Sequence, residues 1–360
     1  MRLLVLKEAL PTGGAERQLA LLVKHLPPYW ERRVWLMGDG PFADALLADG
    51  YRVDVFPRRR RYDVRPAASL WRTLIEWRPD VVHSWDWMST LAAVPVCRML
   101  RIPIVDSTIR NGTVRPRGAL QRRLSHTLST LVVANSQAGL QAWGVRLGKG
   151  RVVYNAFDPQ RLPETGDGNT RAVGNGGPRT VVMTGRMVAD KDFSTVIAAA
   201  DRLERERPGG WRFVFLGDGP ERRRLMEEAA GLSDRGVVTF VDPGLDVLPF
   251  VRQADVGVLM ADEARNREGC SNAIMEYMSC GLPVVCSDGG GNPELVLEGE
   301  TGHVVPPCDP VALVTALVRL AEDPETARRL GEAGRRRILE EFTVERMVRD
   351  MDRIYWEALS

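Results

Sequence analysis

Short runs rich in Val, Ile and Leu alternate along the whole chain with longer amphipathic segments, and few architectures accommodate that rhythm. The runs fall at 3–6, 34–37, 53–56, 81–83, 104–105, 131–134 and 152–154 in the first half. In the second half they fall at 180–184, 213–216, 237–241, 256–260, 283–286 and 303–305. Most are nearly continuous in apolar residues, the pattern of a strand buried on both faces. Between them the apolar spacing turns helical: Phe193, Val196, Ile197, Ala200 and Leu203 recur at i, i+3, i+4, i+7 and i+10. Strand–helix alternation of this kind predicts parallel sheets covered by helices on both faces, an α/β fold.

At 360 residues, 44% of them hydrophobic, the chain can bury two cores of ordinary size. The boundary is expected at 159–178. There Pro163-Glu164-Thr165-Gly166-Asp167-Gly168 and Gly174-Asn175-Gly176-Gly177 carry no periodicity and read as a hinge linker. This gives domains 1–157 and 158–342. After the last strand come helices with polar joints at Asp323-Pro324 and at Gly331 to Gly334. The closing segment puts Met347, Met351, Ile354 and Tyr355 on one face, so 343–360 is expected to pack back on the first domain.

The net charge of +2 conceals a division. Residues 1–155 hold 24 Lys/Arg against 12 Asp/Glu, and the remainder 25 against 35. Such asymmetry suggests different partners for the two halves, the basic one facing an anionic surface or substrate, or else an Arg-rich genome. No apolar run approaches the roughly 20 residues that span a bilayer. Lys7, Glu8 and Pro11 interrupt the only apolar stretch near the start, unlike a signal peptide. Cys97, Cys270, Cys280, Cys286 and Cys308 are scattered and include no CxxC pair. That argues against a disulfide framework and a structural zinc, and for a reducing cytoplasm.

Open parallel sheets bind ligands at the carboxyl ends of their strands, so the loops there carry the functional reading. Pro11-Thr12-Gly13-Gly14-Ala15-Glu16-Arg17 opens a helix after the first strand; its glycines fit either close backbone approach to a ligand or a plain turn. It is not a GxGxxG fingerprint, and no GxxxxGK[ST] occurs, which weakens dehydrogenase and ATPase readings. After the first strand of the second half, Arg186 and Lys191 sit at the ligand end of an otherwise acidic half. A helix start disfavours cations, whereas a departing diphosphate needs them.

Glu268 and Glu276 bracket Gly269-Cys270-Ser271-Asn272, a turn that feeds an apolar helix. Unpaired N–H groups at such a start, with the helix dipole, attract phosphate. Flanking carboxylates would repel phosphate and suit the hydroxyls of a ribose and a sugar ring. Ser271 or Asn272 would cap the helix. An acidic helix start with an ordinary amphipathic glutamate is the plainer alternative. Three glycines in Cys286-Ser287-Asp288-Gly289-Gly290-Gly291-Asn292-Pro293-Glu294 suggest room for a ligand beside the backbone, or a loose turn.

In order and spacing these segments resemble glycosyltransferase family 4, retaining enzymes that use nucleotide sugars. The resemblance runs nearly the whole chain. It includes Gly13-Gly14-Ala15-Glu16-Arg17, Gly185-Arg186 with Lys191-Asp192, and Phe215-Leu216-Gly217-Asp218-Gly219-Pro220. It continues through the two glutamates, Cys280-Gly281-Leu282-Pro283-Val284-Val285, and Gly290-Gly291-Asn292-Pro293-Glu294. The resemblance implies a GT-B fold, two Rossmann-like domains whose parallel sheets face a central cleft. It implies that Arg186 and Lys191 grip the donor diphosphate, that Glu276 holds the ribose, and that Glu268 holds the transferred sugar. Amides at Gly269, Cys270, Ser271 and Asn272 would contact phosphate or sugar, Asp242 and Pro243 would line the base pocket, and Gly13 and Gly14 would approach from the other domain. Neither cofactor nor metal is implied.

Many such enzymes carry a histidine near the sugar on the loop after the strand at 104–105. Here that stretch reads Asp106-Ser107-Thr108-Ile109-Arg110-Asn111-Gly112, so Arg110 or Asn111 takes its place in the expected site, with His83 as a further candidate. Arg58 to Arg61, and Arg110, Arg115, Arg117, Arg122 and Arg123 beside Leu120 and Leu124, read as a surface for anionic lipid or as a solvated face. The expected partners are a nucleotide sugar, a glycan or lipid-linked acceptor and an anionic membrane, with peripheral attachment on the cytoplasmic side. No nucleic-acid motif accompanies the charge. A sugar-nucleotide epimerase, a phosphorylase and a non-catalytic binding subunit remain the alternatives.

Overall fold

The computed structural model describes residues 1–60, 63–112, 118–146, 148–163, 177–244, 246–262, 264–265 and 267–360. Most of the expected linker, and Arg61, Arg115 and Arg117, lie outside the described residues. The chain divides into two compact units, 1–156 with 344–360, and 157–343.

The first unit holds a seven-stranded sheet in the order β3-β2-β1-β4-β5-β6-β7. Its strands are β1 (Arg2–Lys7), β2 (Glu31–Leu36), β3 (Arg52–Val55), β4 (Val81–Ser84), β5 (Ile104–Ile109), β6 (Leu131–Ala134) and β7 (Gly150–Val152). The second unit holds a six-stranded sheet in the order β10-β9-β8-β11-β12-β13. Its strands are β8 (Arg179–Thr184), β9 (Trp211–Leu216), β10 (Val238–Val241), β11 (Val256–Leu259), β12 (Val284–Ser287) and β13 (Gly302–Val305). Every pairing within both sheets is parallel. The cause is visible in β4, β6, β11 and β12, each buried at every position. Such strands need helices on both faces.

The helices that carry or support the site are α1 (Gly14–His25), α2 (Ala119–Leu128), α3 (Phe193–Glu206), α4 (Asn272–Ser279), α5 (Pro324–Glu341) and α6 (Val344–Leu359). Helix α6 belongs to the first unit and buries Met347, Met351, Ile354 and Tyr355 in its core. Asp352 at its edge accepts hydrogen bonds from the Tyr29 hydroxyl and the Trp30 indole, both at 2.7 Å.

Three local expectations are corrected. The 104–105 strand extends to Ile109, because Asp106 and Ser107 are polar yet fully enclosed. Asp106 accepts the Thr108 amide at 3.0 Å, which satisfies a carboxylate inside the sheet. The last strand of the first unit sits two residues early, at Gly150–Val152, where Gly150 pairs with Val132. Gly331 and Gly334 are no joint: both lie inside α5. A Cβ at Gly331 would stand 2.0 Å from the Gly281 carbonyl, so glycine there lets the helix lie directly on the Gly281 turn.

Candidate active site

In the second sheet the strand order reverses between β8 and β11, and the crevice beyond that reversal is where open α/β sheets take ligands. The loop after β8 is held from beneath. Gly185 donates to the Leu216 carbonyl at 3.0 Å and Met187 to the Asp218 carbonyl at 2.9 Å. Gly217 has φ +139°, and a Cβ there would meet the Gly185 carbonyl oxygen at 2.2 Å; one at Gly219 would meet the Met187 oxygen at 2.3 Å. The Gly217-Asp218-Gly219-Pro220 motif is therefore a buttress, packed backbone to backbone under the loop that presents Arg186.

Lys191 closes that loop one residue before Asp192, whose carboxylate caps α3 by accepting the Thr195 amide at 3.0 Å. A lysine beside a helix start is unfavourable to the dipole, and the loop after β11 supplies the offset. Lys191 Nζ lies 2.6 Å from Glu268 Oε1, with side chains only 16% and 14% exposed. A β-bridge from Lys191 to Ala261 and the Asp192 amide bonded to the Met260 carbonyl at 3.0 Å fix the two loops to each other. An ammonium carries three donors, so the pair leaves Lys191 able to serve a phosphate oxygen as well. Arg186 is exposed and, among the described residues, has no ion-pair partner.

Glu268 in turn rests on the glycine loop after β12. Gly291 donates to the Glu268 carbonyl at 2.8 Å. Gly290 adopts φ +54°, and a Cβ on it would fall 2.2 Å from the same oxygen. The expected room for a ligand at this glycine is filled by the backbone of Glu268.

Helix α4 starts at Asn272, with Ser271 as the cap residue and no side-chain capping bond. Asn272 is thus the first helical residue, not the cap. Gly269, Cys270 and Ser271 are buried beside this start. The helix is fixed to β8 by Tyr277, whose hydroxyl accepts the Thr184 amide at 2.5 Å. Burial pushes that phenol's pKa up, so it stays neutral. Gly257 on β11 makes room for the Tyr277 ring, which would stand 2.4 Å from a Cβ.

Glu276, one turn into α4, is 4% exposed. Its Oε1 lies 2.9 Å from Arg161 Nη1, and Arg161 Nη2 lies 3.1 Å from Asp246. Sequence reasoning missed Arg161: it falls in the stretch read as linker, and no local signal marks a contact 115 residues away. Asp242 is exposed after β10 and accepts the Gly244 amide at 3.1 Å, an Asx turn followed by Asp246.

The remaining expected residues lie in the first unit, around the reversal between β1 and β4. Gly13 and Gly14 begin α1. The space a Cβ would take on Gly13 holds the Glu16 carboxylate, itself paired with Lys7 at 3.3 Å. His83 is a core residue. It is 0% exposed, its Nε2 meets Ser107 Oγ at 2.7 Å and its Nδ1 accepts the Tyr355 hydroxyl at 2.7 Å. Burial, then the nearby Arg110 charge, hold its pKa well below the ordinary histidine value. This neutral, enclosed ring offers no exposed atom to a sugar, which corrects the expectation for it. Arg110 is half-buried, its guanidinium 3.9 Å over the Trp85 ring and its Nε donating to the Ser107 carbonyl at 3.1 Å. Asn111 accepts the Trp143 indole on its carbonyl at 3.1 Å, while its buried Oδ1 has no hydrogen-bond partner among the described residues.

No group of three or more His, Cys, Asp or Glu suited to a metal occurs among the described residues. All five cysteines are free. Burial pushes the Cys97 thiol up to about 12 and the Cys280 thiol up to about 11, away from the reactive thiolate.

Residues 12–161 match glycosyltransferase family 4, and residues 178–323 match the glycosyl transferases group 1 family. Glycogen synthase of Mycobacterium tuberculosis is 26% identical over 298 residues, 78% of this chain and 70% of that one. A GDP-mannose-dependent phosphatidylinositol monomannoside mannosyltransferase of Mycolicibacterium smegmatis is 34% identical over 170 residues, 45% of this chain and 44% of that one. The crystal structure of Anabaena Alr3699/HepE in complex with UDP-glucose superposes with a TM-score of 0.85 at 22% identity, covering 99% of this chain and all of that one. With two parallel Rossmann-like sheets, a family 4 match in its first half, a glycosyl transferases group 1 match in its second and glycosyltransferase relatives along most of its length, the chain belongs to the family 4 glycosyltransferases and has the GT-B fold.

Proposed function

We propose that the enzyme transfers a sugar, with retention, from a nucleoside-diphosphate sugar to a glycan or lipid-linked acceptor in cell-surface polysaccharide or glycolipid synthesis. The observation that carries the reading is the cluster at the β8/β11 reversal: Lys191 paired with Glu268, on the loop that leads into a helix start whose cap residue, Ser271, makes no side-chain capping bond. Arg186, Lys191 and the amides at Gly269 to Asn272, which lead into α4, neutralise the departing diphosphate. Glu268 accepts hydroxyls of the transferred sugar and Glu276 those of the ribose, with Asp242 and Pro243 against the base. In the first unit, Gly13, Gly14, Arg110 and Asn111 are the candidate contacts for the sugar or its acceptor. The transition state is oxocarbenium-like on one face of the sugar. Rate comes from stabilising the leaving group and orienting the acceptor, without a dedicated base. Two cations and a helix start do the work of a metal, so none is required.

A thermal-shift panel of UDP, GDP, CDP and TDP, run in a chelating buffer, tests the donor site. A nucleotide at 100 times its dissociation constant adds about 2.7 kcal/mol to stability. One base should stand out; no stabilisation by any member removes the reading. Nucleoside diphosphate released from the donor without acceptor would point instead to hydrolysis, and isomerised donor without release to epimerisation.

For attachment to an anionic membrane, the support is Leu120 and Leu124 on α2, 76% and 47% exposed, beside Arg122 and Arg123. Among the described residues no helix is long and apolar enough to cross a membrane. Cations flanking exposed leucines favour a surface that holds anionic headgroups. Flotation with vesicles containing anionic lipid should carry the protein upward at low salt and lose it at high salt. Equal recovery with neutral vesicles ends the idea.

A further inference from the structure

We propose that Arg161 is a positioning residue for the ribose of the donor nucleotide, acting through Glu276; the inference rests on the reading of Glu276 as the ribose acceptor. The side chain is built into the site at three points. Nη1 meets Glu276 at 2.9 Å, Nη2 meets Asp246 at 3.1 Å, and the guanidinium lies 5.7 Å from the centre of the Phe157 ring. Phe157 is itself buried and tied by its amide to the Phe342 carbonyl at 2.9 Å, so the stacking surface is fixed. Arg161 sits on a single 3-10 turn, Pro159–Arg161, capped by Asp158 accepting the Gln160 amide at 3.0 Å.

A carboxylate as enclosed as that of Glu276 must be compensated, and its direction in space is set by whatever compensates it. Arg161 does both with a planar fork. A carboxylate has about four lone-pair sites, of which the Arg161 Nη1 contact takes one. Asp246 lies two residues beyond the Asx turn at Asp242–Gly244, so the same guanidinium ties the ribose carboxylate to the loop assigned to the base. The fork thereby sets the distance between the two recognition points of a nucleoside. Among the described residues no hydrogen bond or ion pair joins it to Lys191 or Glu268, and its effect should be confined to the nucleoside end of the ligand.

The test separates the inference from the reading beneath it. Affinities are measured calorimetrically for UDP, GDP and CDP, each against its 2′,3′-dideoxy counterpart, and for inorganic pyrophosphate. Wild type should prefer one ribose nucleotide over its dideoxy form by roughly tenfold or more, the value of hydroxyls bonded to a charged partner. No such preference in wild type removes the reading of Glu276 and the inference with it. Given the preference, R161A should shrink it to less than about threefold while leaving pyrophosphate affinity unchanged. Full retention of the preference in R161A overturns the inference. So does an equal loss for the ribose and dideoxy forms and pyrophosphate, which would mark a general effect of charge or structure. R161K keeps the charge without the fork and should fall between wild type and R161A. If R161A does not fold, R161K decides: a wild-type preference in it overturns the proposal, and a reduced one upholds it.

Discussion

Lys191→Ala is expected to lower turnover at saturating donor by roughly 10²-fold or more, the usual cost of removing one preorganised charge contact to a transition state. Diphosphate gains charge as the glycosidic bond breaks, so a cation that follows that charge lowers the barrier more than it tightens substrate binding. The loss should therefore appear in kcat, with KM for the donor changing less. The ion pair complicates the reading, since Lys191 also compensates Glu268 at 2.6 Å in a pocket where neither side chain is more than 16% exposed. Deleting one partner leaves a nearly enclosed carboxylate unpaired, worth about 1–3 kcal/mol of stability. The double variant Lys191→Ala with Glu268→Gln resolves the two effects. It should recover melting temperature, because a neutral amide needs no counter-charge, and it should not recover turnover. A Lys191→Ala enzyme with wild-type kcat would rule out the role assigned to the ammonium.

The sheets were legible because parallel strands buried on both faces have little choice but to be continuous apolar runs; twelve of the thirteen runs became strands, and the run at 152–154 overlaps its strand only at Val152. Legibility failed where burial and polarity separate. Asp106 and Ser107 extend β5 inside the core, yet read as loop, because the Ser129 hydroxyl and the His83 ring that meet them come from 23 and 24 residues away in the folded unit. Glycine was misread in the same way. Gly331 and Gly290 looked like breaks or open space, but each is glycine because another backbone occupies the Cβ position. Composition records that the side chain is missing and says nothing of what fills the gap. The candidate site was legible as a set of residue types, and two of its members, Lys191 and Glu268, do meet. Arg161 was beyond reach, since its partners Asp246 and Glu276 are brought to it by the sheet and not by any local period.

That view of glycine leads to the second large effect, Gly290→Ala. Two penalties combine at this position. The backbone is left-handed at φ +54°, which costs an L-residue about 1–2 kcal/mol. The added methyl would also stand 2.2 Å from the Glu268 carbonyl oxygen and 2.7 Å from its amide nitrogen, both backbone atoms that no rotamer change can move. Overpacking of this kind adds about 1–3 kcal/mol. Relieving the strain parts the Gly290 loop from the Glu268 backbone and so disturbs Glu268 and, through the 2.6 Å pair, Lys191. A shift of about 1 Å at a positioned group can cost 10²-fold in rate. The variant should thus melt several degrees lower and lose about two orders of magnitude in turnover even at temperatures where it remains folded. Gly299→Ala supplies the control: its φ is +72° but nothing lies within 4 Å of the added carbon. It should pay the left-handed cost alone and keep wild-type turnover. If Gly290→Ala behaved like Gly299→Ala, with a modest loss of stability and full activity, the glycine loop would not be what holds Glu268 in register with Lys191.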